Sequence, residues 1–399
     1  MTQSLDTQLA AELDRMHSEG TAKQFNHLTS PMAAQVSMEG KGEVLVLSSN
    51  NYLGLSDHPE LIKAGKQALD EYGAGTASVR FICGTYDIHR DLEVAIARLH
   101  RQEASLSYVA CWNANTGLIP AIAGKDDVII SDALNHASLI DACRITKAKR
   151  MIFKHSDMQD LERCLKEAQG ARRILVVTDG VFSMEGDIVK LPELVKLSKH
   201  YGGTIILDDS HGVGVMGKNG RGVAEYFDLE KEVDIVTSTL GKALGGAAGG
   251  YVAGSQALID YLNQTSRPQL FSNALPTTVA ASALKAIEIL EAEPERVAKL
   301  HALTARMRDG LIARGFKPLD GPSAIVPIIV GETSFAIKMS AALLKEGIFI
   351  TGFGFPVVPE GEARLRIQIC ASLTEDQIDF ALEKFEKVGK ELGVIQQAA

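Results

Sequence analysis

Cysteine and tryptophan are scarce in this chain, with five of the first and one of the second among 399 residues. Cys83, Cys111, Cys143, Cys164 and Cys370 are odd in number and never spaced as Cys-x-x-Cys. Scattered in this way they exclude a zinc knuckle and a disulfide framework, and they suit a reducing compartment. Long apolar runs are missing too. Nothing approaches the ~18 apolar residues of a membrane helix, so no membrane partner is expected. The first twenty residues are studded with acids and hold no apolar core segment, so no secretory signal is expected and the cytoplasm is the expected location. Positive charge is not in excess either. The formal net charge is −9, whereas a nucleic-acid partner would need a basic face to meet its phosphates.

What is present is ordinary globular material, 46% hydrophobic and 23% charged, which excludes disorder, collagen and coiled coil for the whole chain. The length suggests two domains and is enough to bury a core without staples. Leu5, Leu9, Leu13 and Met16 recur at helical spacing, so residues 1–44 read as an N-terminal arm opened by an amphipathic helix. Helices are expected over residues 60–72 and 87–100, and the glycine-rich stretch 73–84 between them reads as a functional loop without regular structure. Beyond residue 126, short β-branched runs at 128–131, 151–153, 174–178, 204–207, 235–239 and 250–253 alternate with helix-length segments. That rhythm marks βαβ units and a mostly parallel sheet covered on both faces. Residues 45–284 are assigned on this basis to a large α/β domain. Past Pro276 come two long helical stretches, strand candidates at 325–330, 348–352 and 363–370, and a terminal helix over 374–392. Residues 285–399 accordingly read as a smaller α+β domain.

Two local patterns suggest chemistry that their surroundings refuse. Gly212-Val213-Gly214-Val215-Met216-Gly217 matches the dinucleotide fingerprint. The polar Asp208-Asp209-Ser210-His211 intervenes after the strand, however, and a turn-rich Lys218-Asn219-Gly220-Arg221-Gly222 follows where a pyrophosphate-binding helix should open. Gly241-Lys242 is not a phosphate loop, because Val236 and Ala243 stand where glycine and a hydroxyl residue are required. Lys242 sits instead among small residues just past a strand, where desolvation disfavours its ammonium form and suits Schiff-base chemistry. Taken singly, Lys242 could be a solvated loop lysine and Asp208 a cap for the next turn. Together, an acid at one strand end and a lysine beyond the next can hold an aromatic cofactor by its two ends. No metal is expected, since no further His or Cys stands at ligand spacing to Asp208 and His211.

These motifs resemble the α-oxoamine synthases, a family of fold-type I pyridoxal-phosphate enzymes. The resemblance rests on Asn135-His136-Ala137-Ser138, Asp179-Gly180-Val181-Phe182-Ser183-Met184-Glu185-Gly186, Asp208-Asp209-Ser210-His211, Thr239-x-Gly241-Lys242 and Ala363-Arg364-Leu365-Arg366. The resemblance covers residues 45 to about 385 in the right order. It implies an α/β fold-type I transferase, with a large domain built on a mostly parallel mixed sheet and a smaller α+β C-terminal domain. It implies pyridoxal 5'-phosphate in Schiff-base linkage to Lys242, which also takes the substrate's α-proton. By the same resemblance Asp208 pairs with the protonated ring nitrogen, His136 stacks on the ring and His211 bonds its phenolic oxygen. The phosphate falls to the backbone N–H groups of Cys111 and Trp112, where a helix opens near Asn113, with the Thr239 hydroxyl beside them. Ser272 or Asn273 of a neighbouring copy is implied at the phosphate too, making a homodimer with a shared site. Ser183 is carried over as a ring or substrate contact. Arg366 offers its guanidinium fork to the substrate carboxylate, with Asn50 as a neighbour. Arg364, on the same strand face as Arg366, could be a surface residue on an edge strand.

Within the family, Ala77-Ser78-Val79-Arg80-Phe81-Ile82-Cys83-Gly84-Thr85, Ser131-Asp132-Ala133-Leu134-Asn135-His136 and Thr351-Gly352-Phe353 resemble members that condense glycine with acetyl-CoA. The product is 2-amino-3-oxobutanoate with release of CoA; the reverse cleavage serves threonine breakdown. Val79 argues the same way: relatives that use succinyl-CoA place a hydroxyl there, and a valine would leave the distal carboxylate unpaired. Tyr86 departs from the residue expected in the acetyl-using members. The alternatives are alanine with pimeloyl-CoA, or serine with a long-chain acyl-CoA, each with decarboxylation. A catalytically silent relative is a third, against which Asp208, His211 and Lys242 all stand in place.

Overall fold

A computed structural model describes residues 4–23 and 25–396 of the chain. Helix α1 (Leu5–Ser18) is capped by Ser4, whose hydroxyl accepts the Thr7 N–H. It is followed by the antiparallel pair β1 (Gln35–Met38) and β2 (Gly42–Val46). Then come α2 (Pro59–Tyr72) and α3 (Asp87–His100), whose apolar residues recur every three or four positions. Between them the chain is not irregular throughout, as expected from its glycines: Arg80–Gly84 forms one π-type turn. The Arg80 guanidinium holds that turn, with Nη1 2.7 Å from Glu93 Oε1 on α3.

The next stretch alternates strand and helix: β3 (Ala104–Tyr108), α4 (Cys111–Ile122), β4 (Val128–Asp132), α5 (Ala137–Arg144), β5 (Lys149–Phe153), α6 (Met158–Glu167), β6 (Ile174–Asp179) and α7 (Leu191–His200). It continues through β7 (Gly203–Asp208), α8 (Val223–Tyr226), β8 (Ile235–Thr239), β9 (Gly250–Gly254), α9 (Gln256–Thr265), α10 (Arg267–Phe271), α11 (Thr277–Ala292) and α12 (Glu295–Ala313). The remainder is β10 (Ile325–Gly331), α13 (Thr333–Lys345), β11 (Ile348–Phe349), β12 (Gly352–Phe353), β13 (Ala363–Gln368) and α14 (Glu375–Glu391).

By its internal contacts the chain divides into a unit of residues 50–302 with 321–324 and a unit of residues 1–49, 303–320 and 325–399. The first is built on a seven-stranded sheet in the order β3-β9-β8-β7-β6-β4-β5. The strands from β8 to β5 run parallel, and β9 runs antiparallel to both of its neighbours. This is the mixed, mostly parallel sheet that the alternating rhythm implies. Strand β6 is buried along its whole length and reads as a nearly unbroken apolar run, because helices cover both of its faces. Leu118, Leu139 and Leu262 from α4, α5 and α9 join Leu175, Ile206 and Val252 of the sheet in one apolar cluster. Register places the ends of the parallel strands side by side: Asp179 pairs with Asp208, and Asp208 with Thr237.

The second unit holds two three-stranded sheets, β1-β2-β11 and β10-β13-β12. Strand β13 is central and buried throughout, not an edge strand. Arg364 is consequently no surface residue. It is 1% exposed, and its Nη2 lies 3.1 Å from Glu362 Oε2.

One partly buried ion cluster ties the end of β4 to the loop after β6. His155 Nδ1 lies 3.0 Å from Asp132 Oδ1, and its Nε2 lies 3.0 Å from Asp187 Oδ2. Burial pulls the imidazole pKa down, but the two carboxylates outweigh it and lift the pKa to about 10. A raised pKa means stability that is complete below the unfolded value of about 6.5 and is lost as pH climbs through the folded one. Replacing His155 with Gln is expected to cost about 2 kcal/mol in urea unfolding near neutral pH, as for bonds to charged groups. That deficit should shrink steadily as pH rises from about 6.5 toward about 10 and be gone above it; a deficit that does not change with pH would show the imidazole to be neutral.

Candidate active site

The polar residues gather where the parallel strands end, as open α/β sheets direct. A cavity of about 220 Å³ opens there, and Cys111, Trp112, His136, Ser183, Asp208, His211, Thr239 and Lys242 all line it. Asp179, Val181, Ser138 and Ser210 complete the wall.

Asp208, the last residue of β7, is 3% exposed. Its Oδ1 accepts the Ser210 N–H at 3.0 Å, and its Oδ2 accepts from Asn115 Nδ2 at 2.7 Å. The Cys111 thiol stands 3.7 Å from the same Oδ2. Burial and then the Asp208 charge push the Cys111 pKa well up, so the group is a thiol and no nucleophile. Asp179, one strand over, accepts the His136 backbone N–H at 2.8 Å. Its pKa is likewise pushed well up, by burial first and by Asp208 second.

Helix α4 opens beside these acids. Its N-cap is Ala110, which has no side chain to satisfy the first-turn N–H groups, and its first residues, Cys111 and Trp112, line the cavity. An uncapped helix start facing a cavity is an anion site. The helix begins two residues before the expected Asn113. Gly250 makes this possible, because a Cβ on it would collide with Cys111 N and Cα. Trp112 remains 44% exposed and meets the His136 ring edge-on, 6.2 Å between centroids.

On the opposite side, Thr239 ends β8 and its hydroxyl shapes the turn that carries Lys242. It donates to Gly249 O at 3.1 Å and accepts the Gly241 N–H at 3.0 Å. Lys242 is half-buried. His211 is oriented from outside the motif: its Nδ1 is 2.7 Å from the hydroxyl of the fully buried Tyr52. The fingerprint-like glycines have a different task from nucleotide binding. A Cβ at Gly212 or Gly222 would strike the buried Asp209 carboxyl, and no helix begins before α8.

Not every expected residue meets the cavity. Ser272 and Asn273 are absent from its wall, and Asn273 lines a separate small cleft with Arg80 and Gln269. Asn50 is half-buried at the start of the sheet unit. Arg366 belongs to the other unit, where its guanidinium lies 4.6 Å over the Phe353 ring and donates to Gln368 Oε1 at 3.0 Å. Among the described residues, no three His, Cys, Asp or Glu side chains are grouped as a metal site requires.

An uncapped helix start, a buried carboxylate and an amine around one cavity match the three ends of pyridoxal phosphate: phosphate, ring nitrogen and aldehyde. The family model for aminotransferase class I and II matches residues 42–385. The chain belongs to that family. The 2-amino-3-ketobutyrate coenzyme A ligase of Escherichia coli (strain K12) is 46% identical over 390 residues, covering 97% of this chain and 98% of its own. The 8-amino-7-oxononanoate synthase of Thermosipho melanesiensis is 45% identical over 386 residues, covering 97% and 98%. Among solved structures, SPT (serine palmitoyltransferase) with PLP superposes with a TM-score of 0.94 at 32% identity, covering 98% of this chain and 100% of that one. Within this family the chain has the fold-type I transferase architecture that its motifs imply.

Proposed function

We propose that the protein is a pyridoxal-phosphate enzyme that joins glycine to acetyl-CoA, giving 2-amino-3-oxobutanoate and CoA, and that also runs the reverse cleavage. The observation that carries this reading is the meeting of Lys242, Asp208 and the uncapped start of α4 around one cavity. Full-length identity to the Escherichia coli ligase supports the choice of substrates.

When bound, the cofactor supplies an electron sink conjugated to the substrate's α-carbon. The chain does the rest. Lys242 would hold the cofactor's aldehyde end through its amine, and the same amine would take the substrate's α-proton. Asp208 would keep the ring nitrogen protonated, His136 would cover the ring face, and His211, turned by Tyr52, would bond the phenolic oxygen. The first N–H groups of α4 would take the phosphate, joined by the Thr239 hydroxyl if its hydrogen turned from Gly249 O, and Ser183 would border the ring. Arg366 would take the glycine carboxylate, a role that its stacking on Phe353 supports by fixing the fork, and Asn50 would be a second contact of that carboxylate.

The site is shared in a homodimer, Ser272 or Asn273 reaching the partner copy's phosphate. Phe81, Ile82 and Phe271, exposed by 64%, 68% and 72%, lie on the π-type turn and the adjoining α10, and a second copy would cover them. A reducing, cytoplasmic setting belongs to the same proposal, supported by five cysteines of which none is paired in a disulfide. No helix among the described residues is long and apolar enough to cross a membrane.

The acyl choice is tested by assaying glycine, alanine and serine against acetyl-, pimeloyl- and palmitoyl-CoA, with CoA and CO₂ release measured together. Glycine with acetyl-CoA is expected to turn over fastest and without CO₂. Turnover with pimeloyl- or palmitoyl-CoA and none with acetyl-CoA would move the protein to the activity of its oxononanoate- or sphingolipid-type relatives.

A further inference from the structure

A buried chain of hydrogen bonds joins Asp208 to His136, two groups that the proposed reaction uses separately. Asn115, on α4, and Ser138, on α5, are 0% and 1% exposed. Asn115 Nδ2 lies 2.7 Å from Asp208 Oδ2 and 2.9 Å from Ser138 Oγ. Ser138 Oγ lies in turn 2.8 Å from His136 Nδ1, and the Ser138 backbone N–H reaches the same nitrogen at 3.2 Å.

The donor directions follow from chemistry. An ionised carboxylate only accepts, so the nitrogen side of the Asn115 amide must face Asp208. Its two hydrogens then go to Asp208 and Ser138, and Asn115 Oδ1 is left buried without a partner. Flipping the amide would satisfy nothing, since it would set two acceptors against each other. Ser138 Oγ accepts from Asn115 and has one hydrogen left, which goes to His136 Nδ1. A backbone N–H can only donate, so Nδ1 accepts twice and carries no proton. The proton of the neutral ring is therefore on Nε2.

We infer that Asn115 and Ser138 are positioning residues that lock His136 as its Nε2–H tautomer, with Asp208 setting the direction of the whole chain. The inference rests on the reading of the cavity above and deepens it. His136 would cover the cofactor ring with its face and offer the substrate only a hydrogen-bond donor, its one basic nitrogen being turned into the protein, so proton abstraction is left to Lys242. The His136 backbone N–H on Asp179 Oδ2 fixes the main chain that carries the ring, and Trp112 meets the ring edge-on.

The tautomer is read directly by long-range ¹H–¹⁵N correlation on the full-length protein labelled at histidine, without added cofactor. His136 signals are assigned as those missing from the His136→Gln spectrum. The parent protein is expected to show distinct protonated Nε2 and unprotonated Nδ1 shifts. Ser138→Ala and Asn115→Leu are expected to draw the two shifts toward an average, while Ser138→Thr keeps the parent pattern. A protonated Nδ1 or averaged shifts in the parent would overturn the inference, whether or not the variants fold. So would parent-like shifts in both Ser138→Ala and Asn115→Leu. In the loaded enzyme the two disruptive variants are expected to lose about tenfold in kcat, as supporting residues commonly do, with Ser138→Thr unaffected. A locked tautomer in a protein that never takes up pyridoxal phosphate would refute the proposed function and leave the lock standing.

Discussion

Lys242→Ala protein is expected to bind pyridoxal phosphate without the visible band of a Schiff base, and to lose turnover by roughly ten-thousandfold. The figure follows from removing a positioned proton-transfer group, worth about 10²–10⁴ by itself, along with the anchoring amine. Folding should be unaffected, because the side chain is only half-buried and the turn is held by Thr239 and Gly241. Lys242→Arg is the sharper variant: it keeps the positive charge that the acids around the cavity face, and it cannot form the linkage. A visible band that persists in either variant, resistant to dialysis, would mean that another amine carries the cofactor. Full turnover with no band would remove Lys242 from the chemistry altogether.

Asp208→Asn should have the next largest effect, a fall of about 10²–10³ in kcat, in the range for losing one preorganised electrostatic contact. The neutral amide cannot keep the ring nitrogen protonated, so the bound cofactor loses its pull on the α-carbon. Two further changes distinguish this from general damage. Asp179 loses a neighbour that raises its pKa, so its carboxyl should ionise at lower pH. Asn115 loses the carboxylate that orients its amide, so the His136 lock should loosen in the same variant. Equal kcat values for parent and Asp208→Asn, measured at saturating cofactor and substrate, would rule out the ring-nitrogen contact.

The parallel strands were legible because their burial on two faces forces unbroken apolar runs such as residues 174–177. Asp208 and Lys242 stood out for the complementary reason, being polar groups placed at the ends of such runs. Strand β3 (Ala-Ser-Leu-Ser-Tyr) was not legible. Its serines are buried by bonding to α3, with Ser105 Oγ donating to Glu93 O and Ser107 N–H donating to Glu93 Oε1, and no local pattern announces that. Helix α13 could have been found, since Ala336, Met339 and Leu343 keep helical spacing and are buried. Tyr52 and Asn115 were missed as site residues. Tyr52 acts across 159 positions of sequence and leaves no trace there. Asn115 did leave one: it shares a helix face with Leu118, Ile119 and Ile122, and a polar residue in an apolar stripe needs a buried partner. Arg364 misled for the opposite reason, because strand alternation alone cannot tell a central strand from an edge.

The sheet order also sets a timetable. Among the described residues, the only strand beside β3 is β9, which the ribosome delivers long after β3 itself, on the order of ten seconds at ordinary synthesis rates. Until then the start of α4 lacks the Gly249–Gly250 backbone against which it is seated. The nascent chain can pair β4 through β8 while its anion-binding corner is still open. The cavity is thus completed from the middle outward, and the residues nearest the N-terminus are the last of its wall to be fixed.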